Sequence, residues 1–383
     1  MSDIFSQNDL DFLVNSRSEN CLSLFMPTAK AGPEVRQNPI RLKNLFAEAE
    51  ALLSQRGTTS HLSGRMLNPL QALLPDTIYW ANQSSGFAAL CSPDFSRTYR
   101  LPMECRDFVG LADHFHLLPL IRFLRQDRKF YLLALSQNRA RLLRCSMQEA
   151  EEIEPPDMPR SLEEALKYDD PHTQLQFHTG APGTGGRRPA LFHGQGVGID
   201  ETKDNVLRYS YLVNKGLESV LKNKKDPLIL ATVDYLFPIY RTANTYPFLI
   251  EDFVEGNPDN LSDQDLQKLA WPIVEKLRMD EEQRAISAFE EKAGTGFTSS
   301  NLKEVIPSAF QGRVDSLFIA AEAEQWGFVD EVSDGVILHE DRKAESCDLL
   351  NFAAVQTLRN GGSVYVLPQE RVPDGLIAAL YRY

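Results

Sequence analysis

Cysteine is sparse and unpatterned: Cys21, Cys91, Cys105, Cys145 and Cys347 are odd in number and never spaced Cys-x-x-Cys. That excludes a disulfide framework and a zinc ribbon. No apolar run approaches the roughly 20 residues of a membrane span, and no membrane partner is expected. The start, "MSDIFSQNDLDF", has acids where a signal peptide has a basic, then apolar, stretch, so the expected location is the cytoplasm. Gly183, Gly185 and Gly186 lack a following Lys-Ser or Lys-Thr, and Ser84-Ser85-Gly86 lacks the Gly-x-Ser-x-Gly elbow. Nucleotide binding and serine-hydrolase chemistry therefore have no support. In "DHFH", His114 and His116 are read as sharing one face of a strand, but no third ligand lies near, and neither a metal nor a cofactor is expected. Asp234 is read as a turn or capping aspartate near a strand end. There is no internal repeat and no low-complexity tract.

What is present is ordinary for a globular protein: 383 residues, 43% hydrophobic and 24% charged. A chain of that length forms two or three domains. Its net charge of −13 repels nucleic acid on average, and no DNA partner is expected, although an average can hide a local patch.

Three blocks separate along the chain. The first opens with the apolar run "CLSLFMPT" and a helical pattern from Ile40 through Leu42, Leu45, Ala49 and Leu52 or Leu53. "IYWANQSSGFAALCSPDFSRTYRLP" then alternates strand runs with turn residues, and "DHFHLLPLIRFLRQD" reads as a connection. The second block begins with "KFYLLALSQNRARLLRC", two strands hinged at Ser136-Gln137-Asn138. An acidic insert, "EAEEIEPPDMPRSLEEALKYDD", reads as a solvated linker with one short helix. A glycine-rich loop from about His178 to Ile199 leads into a helix from about Lys203 to Lys222. Its apolar side carries Val206, Tyr209, Leu212, Val213, Leu217, Val220 and Leu221, and "PLILATVDYLFPIY" follows as a buried strand. In the third block, Ser262 is a helix N-cap before two helical stretches, and "VDSLFIA", "SVYVLP" and "GLIAALYRY" are strands around the helix "CDLLNFAAVQTLRNGG". The fold class is α/β, α+β overall.

Taken together, the blocks resemble the three-domain archaeo-eukaryotic class-one peptide-chain release factors and their ribosome-rescue relative Pelota, and more closely a bacterial branch of that superfamily. The quoted strand, loop and helix of the first block, the strand pair, loop, helix "RYSYLVNKGLESVL" and strand of the second, and "GRVDSLFIA", "LLNFAAVQTLRNGGSVYVLP" and "GLIAALYRY" of the third carry the likeness. The resemblance implies a mixed α/β domain at 1–122, an RNase-H-like middle domain at 123–258 and an L7Ae-like α/β/α domain at 259–383. It further implies a ribosome and tRNA partner, and a translational GTPase bound through the last domain.

In such factors a Gly-Gly-Gln loop of the middle domain enters the peptidyl transferase centre and promotes hydrolysis of the peptidyl-tRNA ester. The counterpart here is His193-Gly194-Gln195, followed by Gly196. Gly194 and Gly196 lack Cβ and let the backbone lie against a ligand. Gln195 offers one acceptor and two donors to orient water, while a backbone N–H can hold the oxyanion. His193 in the first position penalises positive φ; alternatively its imidazole serves as a general base or contacts RNA phosphate.

Local charge fits an RNA-facing loop. Between His178 and Lys225 there are eight basic residues, among them Arg187, Arg188, Lys203 and Arg208, against four acids. Arg122, Arg125, Arg128, Lys129, Arg139, Arg141 and Arg144 are read as extending the patch. The alternative is a solvated helix face. For codon reading, the family's Asn-Ile-Lys-Ser motif has only a partial counterpart in Asn38-Pro39-Ile40-Arg41, with Arg41 a candidate RNA contact. The Tyr-x-Cys-x-x-x-Phe motif has none, so rescue of stalled ribosomes suits the residues better than stop-codon decoding. The alternative function is a non-catalytic ribosome- or RNA-binding protein, or a protein-interaction scaffold, on the same fold.

Overall fold

The computed structural model describes residues 4–167, 197–330, 335–343 and 346–383. Contacts divide the chain into two compact units, one of Met1–Gln126 with Asp280–Tyr383, the other of Asp127–Met279. Four sheets combine with helices, giving a mixed α/β protein.

The first unit begins with helix α1 (Gln7–Asn15), closed at its start by a Ser6/Asp9 capping box. Strand β1 (Cys21–Pro27) follows, then helices α2 (Gln37–Gln55), α3 (Ser60–Gln71) and α4 (Thr77–Ala81), strands β2 (Gly86–Ser92), β3 (Phe95–Leu101) and β4 (Phe108–Ala112), and helix α5 (Leu118–Gln126). The antiparallel sheet runs β3-β2-β1-β4. β1 is apolar on both faces because both are covered. Leu22, Leu24 and Met26 pack with Leu42, Leu45, Ala49 and Leu53 of α2, while Cys21 and Phe25 face a second core. Two readings change here. Residues 77–81 are helix, capped by Asp76, and the expected connection at 113–127 contains α5, which buries Leu118, Leu120, Ile121 and Phe123. Pro119 sits in its first turn, where a missing N–H costs nothing.

The second unit contains β5 (Phe130–Leu135), β6 (Ala140–Cys145), β7 (Ala150–Ile153), helices α6 (Leu162–Lys167) and α7 (Val197–Leu221), β8 (Leu228–Thr232), α8 (Leu236–Ala243), β9 (Val254–Glu255) and the first part of α9 (Asp263–Glu291). Its sheet runs β7-β6-β5-β8-β9, with β5, β6 and β7 an antiparallel meander and β5, β8 and β9 mutually parallel neighbours. Alternate residues serve opposite faces. Tyr131, Leu133, Leu228 and Leu230 meet α7 and α8; Phe130, Leu132, Ile229 and Ala231 meet Leu266, Ala270 and Val274 of α9.

Three expectations are corrected in this unit. The acidic insert is not wholly linker: its residues 150–153 form β7, an edge strand paired Arg144↔Glu151 with β6, and edge strands tolerate exposed charge. "PLILATVDYLFPIY" is half strand and half helix, because Pro238 falls in the first turn of α8, where no N–H is required. An apolar run alone cannot separate the two. The two helical stretches before Gly294 are one 29-residue helix, α9, that continues through Pro272. Pro272 and Lys268 are both exposed, so the carbonyl that Pro272 leaves without a donor faces water. Ser262 caps the helix, its Oγ accepting from the Asp265 N–H at 3.2 Å.

The first unit resumes with the end of α9, then β10 (Thr298–Ser299), α10 (Leu302–Phe310), β11 (Val314–Ala320), β12 (Trp326–Asp330), β13 (Gly335–Leu338), β14 (Cys347–Asp348), α11 (Leu349–Arg359), β15 (Ser363–Leu367) and β16 (Ile377–Tyr381). The sheets run β10-β16-β11-β15 and β13-β12-β14. Gly361, at φ +73°, ends α11 as the sequence predicts. Val305, Leu317, Ile319 and Leu350 belong to the same core as Phe25, Ala88 and Phe115, so the chain's two end segments share one interior. No helix among the described residues is long and apolar enough to cross a membrane.

Candidate functional site

His193, Gly194, Gln195 and Gly196, with Arg187 and Arg188, lie outside the described residues. What the structure describes is the scaffold that carries them. Helix α6 precedes that segment and α7 follows it, both seated on the sheet through Ala165, Val206, Tyr209, Val213, Leu217 and Leu221. The predicted apolar side of α7 is thus its buried side. Gly216 lies where a Cβ would come 2.6 Å from Cα of Met158, so the chain around 158 approaches the helix at a distance only glycine permits.

Beside the first turns of α7 lies an apolar groove of about 510 Å³, lined by Gln137, Lys203, Val206, Tyr235, Pro238 and Ile239. Gln137 Nε2 donates to the Tyr235 hydroxyl at 2.9 Å, tying the β5–β6 turn to the β8–α8 turn. The groove sits at the end of the parallel pair β5 and β8 where their C-termini emerge, the edge at which α/β sheets place ligands. Asp234 is exposed in that turn.

The predicted RNA contacts separate into different settings. Lys203 and Arg208 are both exposed on α7 but, five residues apart, point in different directions around the helix. Arg41 belongs to the other unit, half-buried on α2, its Nε 3.7 Å from Asp107 Oδ2 and its guanidinium donating to the Pro27 carbonyl at 3.1 Å. Of the arginines read as extending the patch, several have protein partners. Arg139 pairs with Glu152, Arg144 with Glu151 and Arg125 stacks on the Tyr365 ring. Arg141 is buried, donating to Asp263 Oδ1 at 2.8 Å and to the carbonyls of Pro258 and Leu261 at 3.1 and 3.0 Å. Sequence could not foresee this, because the acceptors lie more than a hundred residues away.

His114 and His116 follow β4 in irregular chain and do not share a strand face. Both are buried, and no cluster of three metal-ligating side chains occurs among the described residues. His114 Nδ1 lies 2.6 Å from Asp113 Oδ1. His116 Nδ1 lies 3.6 Å from Asp348 Oδ2, beyond hydrogen-bond range. Burial holds the His116 imidazole down to about 3 and pushes the Asp348 carboxyl up to about 7. Both shifts favour the neutral forms, so the contact is not a salt bridge. Asp348 Oδ1 accepts from the Leu350 and Gln325 N–H groups, while Oδ2 has no hydrogen-bond partner among the described residues. This buried polar seam between the end segments carried no signal in the sequence beyond the quoted histidines.

Comparisons with known proteins bear on the second unit. Residues 130–276 match the model of bacterial archaeo-eukaryotic release factor family 7. A search of curated proteins gives no match. Among solved structures, the chain is similar to the archaeal translation termination factor aRF1, at 15% identity over 98% of this chain and 96% of that one, with a TM-score of 0.23. It is similar to Archaeoglobus fulgidus Pelota at 15% identity over 78% and 79%, TM-score 0.30. It is also similar to S. cerevisiae Dom34, a translation termination-like factor involved in RNA quality control that interacts with Hbs1, at 12% identity over 76% and 73%, TM-score 0.39. Whole-chain superposition is loose at these scores, and the assignment rests on the family match. Over residues 130–276, this chain is similar to bacterial archaeo-eukaryotic release factor family 7.

Proposed function

We propose that this protein is a ribosome-associated release or rescue factor whose middle domain, at 123–258, presents Gly194-Gln195 to the ester of peptidyl-tRNA on stalled ribosomes. The observation that carries this reading is the family match, which spans the tripeptide, both flanking helices and the strands beneath them. The sheet order β7-β6-β5-β8-β9, an antiparallel meander with two parallel strands added, supports an RNase-H-like description of that domain. In this reading 1–122 and 259–383 are the release-factor-like and L7Ae-like domains, and the latter meets a translational GTPase in the cytoplasm. Gln195 orients the attacking water through its carboxamide, Gly194 and Gly196 keep the backbone thin, and Arg187, Arg188, Lys203 and Arg208 neutralise RNA phosphate. Arg41 is a further RNA contact in this reading.

The test is release of labelled peptide from stalled ribosomes by the full chain and by Gln195→Ala. Release by the native chain that falls at least a hundredfold in the variant is the expected result; no release by the native chain removes the catalytic claim. One observation favours a second reading. His193 stands where the family has glycine. If the native chain and Gln195→Ala bind ribosomes equally and neither releases peptide, the protein is a non-catalytic binding protein.

A further inference from the structure

Basic side chains in the second unit divide sharply by whether an acid holds them. Arg139, Arg141, Arg144, Arg160 and Arg241 each have a carboxylate within 4 Å. Lys215, Lys222, Lys224 and Lys225 are exposed and have no ion-pair partner among the described residues. These lysines fall in one place. Positions 208, 211 and 215 of α7 and position 222, just past its end, are separated by three, four and seven residues and form one stripe, opposite the buried ridge at 206, 209, 213 and 217. The stripe reads Arg208, Tyr211, Lys215 and Lys222, and Lys224 and Lys225 extend it past the helix end.

The turn that carries the last three lysines has a defined shape. Lys222 and Lys224 N–H groups donate to the carbonyls of Glu218 and Leu221, both at 3.0 Å, and Asn223 adopts φ 63°, the only non-glycine residue at positive φ among those described. That left-handed residue reverses the chain out of α7. The negative end of the helix dipole attracts cations, which accounts for lysines in the turn. It does not account for Lys215, two turns earlier, or for Tyr211, half exposed among them. Among the described residues, Asp204 and Glu218 are the acids on this side, fewer than the basic groups of the stripe.

We infer that the outer face of α7, with the 222–225 turn, is a binding ridge for an RNA phosphate backbone, with Tyr211 supplying a stacking surface. From Arg208 to Lys222 the ridge covers roughly 21 Å at 1.5 Å per residue, so it runs along the second half of α7 and into the turn that follows. Lysines give sequence-independent contacts to phosphates, and an exposed ring among them adds the aromatic platform that single-stranded RNA uses. The inference deepens the proposed function and rests on it for which RNA is met in the cell, but the binding is a property of the ridge alone.

The test uses the full chain and two probes, a fluorescein-labelled 12-nucleotide single-stranded RNA and an RNA hairpin with a nine-base-pair stem, titrated between 50 and 200 mM KCl. Each phosphate contact contributes roughly 0.7 to 0.9 to the slope of log affinity against log salt. K222Q/K224Q/K225Q is therefore expected to flatten that slope by about two and to weaken binding about tenfold at 100 mM salt. Tyr211→Ala is expected to weaken the single-stranded probe about tenfold at an unchanged slope, with less effect on the hairpin. A triple variant with native affinity and slope overturns the inference, as does failure of the native chain to bind either probe at 50 mM salt. If the ridge binds as stated while the native chain releases no peptide, the proposed function falls and the ridge stands. If peptide is released and the triple variant binds both probes normally, the reverse holds.

Discussion

The two units treat a buried polar group in opposite ways. In the second, Arg141 is 5% exposed and meets one carboxylate and two carbonyls. In the first, Asp348 is equally buried, but one of its oxygens caps α11 while the other has only His116, at 3.6 Å. A buried ionic group is tolerated where several partners receive it, and where they are too few the proton does the adjusting. Arg141 therefore behaves as a structural rivet between β6 and the entry to α9, while the seam around Asp348 is sensitive to pH.

The largest effect that separates the two is expected from Arg141→Ala. The variant empties a buried site and leaves Asp263 and two carbonyls without their donor, a loss of about 3 kcal/mol in urea unfolding. A loss below about 1 kcal/mol would mean that the three acceptors are met by water and that Arg141 is no rivet. Asn351→Ala should cost about 2 kcal/mol. Asn351 joins the end segments by accepting from the Leu117 N–H at 2.6 Å and donating to the Phe115 carbonyl at 2.9 Å. A single cooperative transition for residues of both end segments is expected in the native chain, because they share one core.

Asp348→Asn sharpens the comparison by pH. The folded Asp348 carboxyl is raised to about 7, so its proton is kept in the fold while the unfolded chain ionises above about 4. Stability from this group is fully present below about pH 4 and is lost as pH rises towards 7. His116, held down to about 3, acts the other way, contributing stability above the ordinary histidine range that is lost as pH falls. Between pH 4 and 6.5 the two trends cancel in the native chain. Asparagine keeps the cap and removes the carboxyl, so the stability of the variant over the native chain should widen by about 1.4 kcal/mol per pH unit between roughly pH 4 and 7. A constant difference across that range would place the proton elsewhere.

How far the sequence reveals all this depends on the range of the interaction. The strand β1, the buried ridge of α7, the hairpin at Ser136-Gln137-Asn138 and the Ser262 cap are legible because periodicity, turn residues and capping act over a few neighbours. The helix half of "PLILATVDYLFPIY", the α5 helix and the uninterrupted α9 are not, since a short apolar run or an internal proline is decided by what packs against it. The arginines show the limit most clearly. In sequence, Arg139, Arg141 and Arg144 and the lysines of α7 look like one basic patch; only the fold shows that the first group is spent on Glu152, Asp263 and Glu151. The role proposed for His193-Gly194-Gln195 comes from family likeness rather than from any local rule, and those residues lie outside the described ones.

The smallest expected effect tests the same principle in its limiting case, a buried polar group with no partner at all. Tyr240 is fully buried between α8 and the sheet, and its hydroxyl has no hydrogen-bond partner among the described residues; burial raises its ionisation well above the ordinary tyrosine range. Nothing is left unpaired when such a hydroxyl is deleted, whereas the desolvation it suffers in the fold is relieved. Tyr240→Phe should therefore leave stability unchanged or raise it by up to about 1 kcal/mol, in contrast to the loss at Arg141. Tyr209, buried on α7 with an equally solitary hydroxyl, should respond in the same sense. A loss of more than about 1 kcal/mol at Tyr240 would reveal an ordered water on that hydroxyl and would show that the second unit satisfies its buried polar groups throughout.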